Sequence, residues 1–543
     1  MKEVWLLKMK TKSISESKST QSLSSKSSNE FKHIEPSNYT AFNGVVILTL
    51  ALIIVKILSA IYRVPYQNVL GDTGLYAYQQ IYPIVALGMI LSMNAIPSAV
   101  TQTLGINGQP SSFSKVLIRF QTLGIVIFLM LLLLAHPVAI LMGDSRLAPM
   151  IRMASLSYLF IGILGVCRGY YQSQRRMNIP AISQVIEQII RVGLIIVAIG
   201  LFMSKDWSIY QAGTIAILAS ALGFLGSSLF LIVMKPFSFK MQNLSANIPW
   251  KDLLMATLVF ALSQLLVILW QFIDSFTIVH TLQSHGLHFK EAIMQKGIYD
   301  RGASFIQMGL IVTTTFSFVL IPLLTEAIEQ RNQIKMNRYA NASLKITILI
   351  SSAAGIGLIN LLPMMNAVFF KTNSLGFTLG SYMLTVICVS LIMMDIALLQ
   401  VLNCIRPILI GVTIGLVVKG ILNALLIHHY GIAGASISTV LSLICFVIIL
   451  HKEVLKQYHF SQMKPFILKM FTALVIMTII IQIIMQILPQ VGRIGGLIEL
   501  VVVAIIGIAV LLILVIYMNI LGYRELKHLP FGEKLYHIKK GRH

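Results

Sequence analysis

Apolar runs long enough to cross a bilayer follow one another along most of this chain, and that recurrence leaves few folds open. In hydrocarbon every backbone N–H and C=O must be satisfied internally, so a spanning segment is an α-helix or part of a closed barrel. Runs of about twenty apolar residues joined by short connections read as helices. They fall near 44–62, 75–100, 116–142, 150–171, 179–203, 210–234 and 253–280, then near 303–324, 342–362, 375–402, 408–428, 432–450, 467–488 and 497–521. The expected fold class is an all-α integral membrane protein of about fourteen transmembrane helices.

Composition agrees. Of 543 residues, 57% are hydrophobic and only 11% charged, a balance that excludes an ordinary soluble domain. The net charge of +23 therefore calls for a membrane explanation before a nucleic-acid one, and no nucleic-acid partner is expected. With the N-terminus inside, the inner loops collect Lys115, Arg175, Arg176, Lys235, Lys240, Lys251, Arg331, Lys335, Arg338, Arg406, Lys452, Lys456 and Lys464, and the C-terminal tail adds more. The outer loops hold Arg146, Lys205, Lys290, Lys296, Lys371 and Arg493. The positive-inside bias then places both termini in the cytoplasm of a multi-pass cell-membrane protein. Residues 1–42 are rich in Ser and Lys and read as a disordered cytoplasmic tail. The four cysteines sit in or beside apolar runs and suggest neither a disulfide frame nor a metal site. No cofactor is expected.

Charges at membrane depth are costly unless they face protein or water, by about 3 kcal/mol or more. Lys56 lies roughly 20 Å from the start of the first span, past the middle of the hydrocarbon core. Lys56, Ser59 and Arg63 share one helix face, a cationic strip roughly 10 Å tall. That strip predicts a water-filled cavity for an anionic, membrane-borne substrate; the alternative is that Lys56 snorkels outward and Arg63 anchors at the interface. Arg301, at the outer end of the eighth span, is the natural partner of Arg63. Two guanidinium forks with an ammonium behind them suit a diphosphate. Asp300 is expected to orient Arg301. Glu187 and Arg191 stand i, i+4 and are expected to form a structural ion pair. Asp274 lies near the outer end of the seventh span with Gln264 and Gln271 on a related face, while Asp395 and Lys419 sit in spans ten and eleven where they could pair.

A long polar outer connection, 281–301, falls near the middle of the chain. A weak internal repeat accompanies it: QSQRRMNIPAISQVIEQIIRVGLIIV from Gln172 resembles LNCIRPILIGVTIGLVVKGILNALLI from Leu402, each with a cation deep in the span, Arg191 or Lys419. The expected organisation is an N-lobe over 43–240, a C-lobe over 241–460, two further helices over 461–522 and a basic tail over 523–543.

The stretches VKILSAIYRVPYQNVLGDTGLYAYQQIYPI, RGYYQSQRRMNIPAISQVIEQIIRV and IYDRGASFIQMGLIVTTTFSFVLIPLLTEA resemble the MurJ lipid II flippases. The nearest branch is the Gram-positive one that includes stage V sporulation protein B-like polysaccharide transporters, within the multidrug/oligosaccharidyl-lipid/polysaccharide exporter superfamily. The resemblance covers 43 to about 523. It implies two six-helix lobes in a V around a cationic cavity, with two C-terminal helices forming a lipid-tail groove. The implied activity is transfer of an undecaprenyl-diphosphate-linked peptidoglycan precursor (lipid II) from the inner to the outer leaflet by alternating access. The implied partners are that precursor, membrane lipids and the cell-wall synthesis machinery, with the protein acting as a monomer. Essential cations of the family map onto Lys56, Arg63 and Arg301. Lys56 stands where arginine is usual, the second helix lacks an arginine found in other branches, and Ser304 replaces an expected acidic residue. Gln79, Gln80 and Asn94 are then candidates to share the load.

The residues leave other classes open. A flippase for another lipid-linked polymer, such as teichoic acid or capsule units, uses the same physics. A cation-coupled drug antiporter would want a carboxylate in the first helix, where this chain has Lys56. A membrane glycosyltransferase would need acid/base groups in a loop, and only His285, His288, Lys290 and Glu291 offer them. A coupling ion or the membrane potential could drive the cycle, and the residues do not say which.

Overall fold

The computed structural model describes residues 62–105, 108–234, 236–237, 248–317, 320–488, 492–522 and 525. The span expected at 44–62 lies outside the described residues except for Tyr62, and so do both tails apart from Glu525. Among the described residues there are helices and connections but no strands. Among them, twelve helical runs are long and apolar enough to cross a membrane. The protein is an all-α integral membrane protein of about fourteen helices, as its apolar runs predict.

The helices, in order, are α1 (Arg63–Ile90), α2 (Ile96–Leu104), α3 (Pro110–Leu133), α4 (Ala135–Leu141), α5 (Ala148–Ser155), α6 (Ile161–Ser173), α7 (Asn178–Ser204), α8 (Ile209–Val233) and α9 (Trp250–Ser284). There follow α10 (Phe289–Ser317), α11 (Ile321–Glu329), α12 (Gln333–Phe370), α13 (Gly376–Met383), α14 (Thr385–Val401), α15 (Arg406–Tyr430), α16 (Ile432–Gln457), α17 (Met463–Ile487) and α18 (Gly492–Tyr517). One hydrophobic core takes its buried side chains from 62–293, around Tyr66, Phe113 and Phe224. Two others lie within 266–521, around Phe305 and Met477 and around Trp270 and Phe446.

Two departures from the sequence expectation bear on function. Residues 63–74, expected as a connection between the first two spans, are helical except for a break at Gly71, whose φ of +72° and ψ of −175° suit glycine. The chain doubles back there, because the Tyr62 hydroxyl meets the Tyr78 hydroxyl at 2.9 Å. Sixteen residues of straight helix would separate them by roughly 24 Å.

The second concerns 281–301, expected as a long polar loop. Only residues 285–288 connect α9 to α10, and α10 starts at Phe289. The polar residues here mislead because the buried positions follow a helical period: Ala292, Ile293, Lys296, Tyr299 and Asp300 all face inward.

Hydrogen bonds between helix ends fix which ends share a membrane face. Asn68 donates to the Phe369 carbonyl at 2.9 Å. Arg493, at the start of α18, donates to the carbonyls of Val368 and Phe369 at 2.7 and 3.1 Å. The Gly71 turn, the end of α12 and the start of α18 therefore lie on one face, the one the loop charges assign to the outside. The start of α12, the start of α17 and the end of α18 lie on the other.

Candidate functional site: an interhelical cavity beneath a sealed face

A cavity of about 220 Å³ opens between α1, the Leu91–Ala95 turn, α9, α10 and α14. That turn has π-helical hydrogen bonding, which shifts the register of its side chains. Asn94, within it, lines the cavity with Gln264, Gln271 and Gln307. The rest of the wall is largely apolar and methionine-rich, as befits a soft, adaptable surface.

Arg63 is the cation of this cavity among the described residues. It is 2% exposed. Its Nη1 donates to Gln307 Oε1 at 3.1 Å and to Ser304 Oγ at 3.5 Å. Its guanidinium lies 4.9 Å from the centre of the Tyr82 ring. The Nε–H is buried with no partner among the described residues. No carboxylate among them is in ion-pair contact with Arg63, so its charge is available to an anion in the cavity. Lys56 and Ser59 lie outside the described residues.

Arg301 is placed differently. It is fully buried and does not line the cavity. Its Nη2 donates to both oxygens of Asp72 at 2.6 Å and its Nε to Oδ1 at 2.8 Å, while Nη1 reaches Thr372 Oγ1 at 2.6 Å. Gln67 adds a hydrogen bond to Asp72 at 2.9 Å. Asp72 follows the Gly71 break, and a Cβ on Gly297 would stand 2.0 Å from the Asp72 carbonyl oxygen. Absence of a side chain at Gly297 thus lets α10 touch the bend of α1. The result is a dense charged seal over the cavity, on the face where α18 begins.

The partner expected for Arg301 is corrected accordingly. Asp300 does not hold it; Asp300 accepts from Lys296 Nζ at 2.5 Å, one turn back on α10. Nor does Glu187 pair with Arg191 as the i, i+4 spacing predicts. Glu187 Oε2 accepts from Arg168 Nη2 at 2.8 Å, both side chains fully buried, and Arg168 is further held by Ser183, Ser227 and the Ser92 carbonyl. Arg191 instead turns to Met89 Sδ at 3.0 Å and to the Tyr62 ring. A guanidinium from a neighbouring helix approaches the carboxylate without bending along its own helix axis, and that geometry wins.

Asp274 and Lys419 meet each other rather than a substrate. Lys419 Nζ lies 2.7 Å from Asp274 Oδ1 and also donates to Asn423 Oδ1, the Ala435 carbonyl, Ser438 Oγ and Thr439 Oγ1. Asn423 and Tyr299 complete the shell around Asp274. Asp395, the other expected partner of Lys419, faces His451 at 3.3 Å. Gln80 is buried against the carbonyls of Met142 and Ser275. Gln79 is buried outside the cavity wall. Sequence reading missed Asp72, Gln307, Tyr82 and Arg168. Only Arg168 carried a signal, as a charge inside an apolar run.

Residues 41–328 match the family described as "Polysaccharide biosynthesis protein". The chain is 30% identical over 513 residues to the uncharacterized membrane protein YabM of Bacillus subtilis, covering 91% of this chain and 96% of that one. It is 25% identical over 440 residues to the lipid II flippase MurJ of the same organism, covering 74% and 80% of the two chains. Among solved structures, the lipid II flippase MurJ in an inward closed conformation superposes with a TM-score of 0.67 at 17% identity, over 87% of this chain and 99% of that one; at that identity the likeness speaks for the fold. With more than half its length matched by the family and nearly all of it aligned to a relative, this chain belongs to the polysaccharide biosynthesis protein family.

Proposed function

We propose that the protein is a flippase for a lipid-linked glycan precursor of the lipid II class, carrying a polyprenyl diphosphate head group between leaflets by alternating access. The observation that carries this reading is Arg63, an uncompensated guanidinium in a membrane-embedded cavity. A diphosphate crossing hydrocarbon unaided would face a prohibitive desolvation cost, and a buried guanidinium fork offsets it. The sequence kinship with a protein named lipid II flippase supports the cargo class.

In this reading the cavity receives the head group from the cytoplasmic side, with both termini cytoplasmic and the prenyl tail left in lipid. Arg63 binds the diphosphate, aided by Gln307, Ser304 and Asn94; Lys56 and Ser59, which the sequence spacing assigns to the same face, are proposed to assist. The two halves, 43–240 and 241–460, then rock. Opening the Asp72–Arg301 contact frees Arg301 to follow the phosphate outward. A negative-inside potential favours the outward movement of an anion by about 2.3 kcal/mol per charge per 100 mV.

The test is reconstitution into liposomes with labelled lipid II, scoring transfer between leaflets. Arg63→Ala is expected to slow transfer at least about tenfold, since one or more charge-assisted hydrogen bonds are lost. Transfer by Arg63→Ala at the wild-type rate overturns the reading. Faster transfer of an undecaprenyl-diphosphate-linked teichoic acid precursor than of lipid II would keep the mechanism and reassign the cargo.

A further inference from the structure

A second cavity, of about 670 Å³, lies at the opposite membrane face from the Asp72–Arg301 seal. It is framed by the second to fourth turns of α12, the start of α17 and the residues just past α18. Its wall carries three cations, Arg338, Lys345 and Lys469, and one carboxylate, Glu525. Lys345 is 6% exposed, and its ammonium contacts Glu525 Oε1 at 3.1 Å and stands over the Phe466 ring. Neither Arg338 nor Lys469 forms an ion pair among the described residues. Among the described residues the cavity therefore holds a surplus of two positive charges. The N-terminus of α17 also borders it, through Gln462, Pro465 and Phe466, and adds partial positive charge.

The surroundings say what kind of anion fits. Tyr517 at the end of α18 is 83% exposed. A tyrosine uncovered at a helix end marks the level where a bilayer's head groups meet its acyl chains. Phe471, in the third turn of α17, is 62% exposed and belongs to the apolar surface beyond it. Leu468 and Ile467, beside Lys469, are exposed as well. A cationic cavity thus opens beside apolar helix surface that acyl chains cover.

We propose that this cavity seats the phosphate of an anionic glycerophospholipid, with its acyl chains along α17 and α18. The phosphate diester accepts from Lys469 and Arg338 and competes with Glu525 for Lys345. The site is separate from the transport cavity. Its residues belong to α12, α17 and the end of α18, and none lines the Arg63 cavity.

The full-length protein, purified in detergent, is titrated with dioleoyl-phosphatidylglycerol, dioleoyl-phosphatidylcholine or sn-glycerol 3-phosphate, and bound molecules are counted by native mass spectrometry. Phosphatidylglycerol is expected to be retained and phosphatidylcholine not. The double variant Lys345→Gln/Lys469→Gln should weaken retention about fivefold or more. Lys456→Gln, the same kind of charge loss on an exposed side chain outside the cavity, should leave it unchanged. Glu525→Gln, which keeps an acceptor for the Gly522 N–H and releases Lys345, should strengthen retention; this arm stands even where the double variant does not fold. Equal weakening by Lys456→Gln and the double variant, or no response to Glu525→Gln, overturns the proposal. So does binding of glycerol phosphate as tight as that of the lipid, which would assign the pocket to a free phosphate ester.

Discussion

Glu187 and Arg168 show what a single buried pair contributes. Both side chains are fully buried, and the guanidinium has four partners. Removing one member leaves a charge stranded in a low-dielectric interior, whereas removing both leaves only packing to repair. Glu187→Ala is therefore expected to destabilise the protein by about 3–5 kcal/mol, read as a lower midpoint of thermal unfolding in detergent. The double variant Arg168→Leu/Glu187→Leu should recover most of that loss. The same logic applies to Lys419→Met, which strips Asp274 of its counter-ion and should lower the midpoint by a comparable amount. At this scale the sequence was only half legible. It marks which residues carry charge at membrane depth, because polar letters stand out in apolar runs. It does not mark partners, because Asp72 and Arg301 are 229 positions apart, and an i, i+4 neighbour such as Arg191 is a poorer match for Glu187 than a residue from the next helix.

The helices themselves were far more legible, because a bilayer imposes both length and apolarity on whatever spans it. The exceptions are physical too. The first turns of α10 carry Lys290, Glu291, Lys296, Asp300 and Arg301 and read as a loop, yet only Lys290 and Glu291 stay exposed, while Lys296, Asp300 and Arg301 pair and bury. The bend at Gly71 was unreadable because a glycine after leucine signals a turn without saying that the helix resumes at once. Two substitutions test what this bend does. Gly71→Ala must hold a left-handed φ, costing about 1–2 kcal/mol. Gly297→Ala places a methyl against the Asp72 carbonyl and must push α10 away from α1. In a background carrying Asn94→Cys, Gly297→Ala is expected to raise labelling by an impermeant thiol reagent added outside severalfold; unchanged labelling would mean that the contact does not seal the cavity.

Across the whole molecule, the cores divide between 62–293 and 266–521 while the charged contacts at Asp72, Arg301, Arg63 and Gln307 join α1 to α10. Polar bonds between α1 and α10 are well suited to breaking and re-forming, since water can replace them at modest net cost. Asp72→Asn keeps the shape and removes the charge. It should weaken the seal and increase external labelling of Asn94→Cys, and Asp72→Arg combined with Arg301→Asp should restore protection more than either change alone.

The grip of Arg493 on the last carbonyls of α12 has its own outcome. It ties the C-terminal hairpin of α17 and α18 to the long helix it packs on, so these three travel as one piece. A phospholipid lodged among them would ride with the half that carries α12, its own contacts unchanged as the halves move. It would behave as mortar in a wall, equally occupied in every stage of the cycle, and not as a gauge of which way the chamber faces.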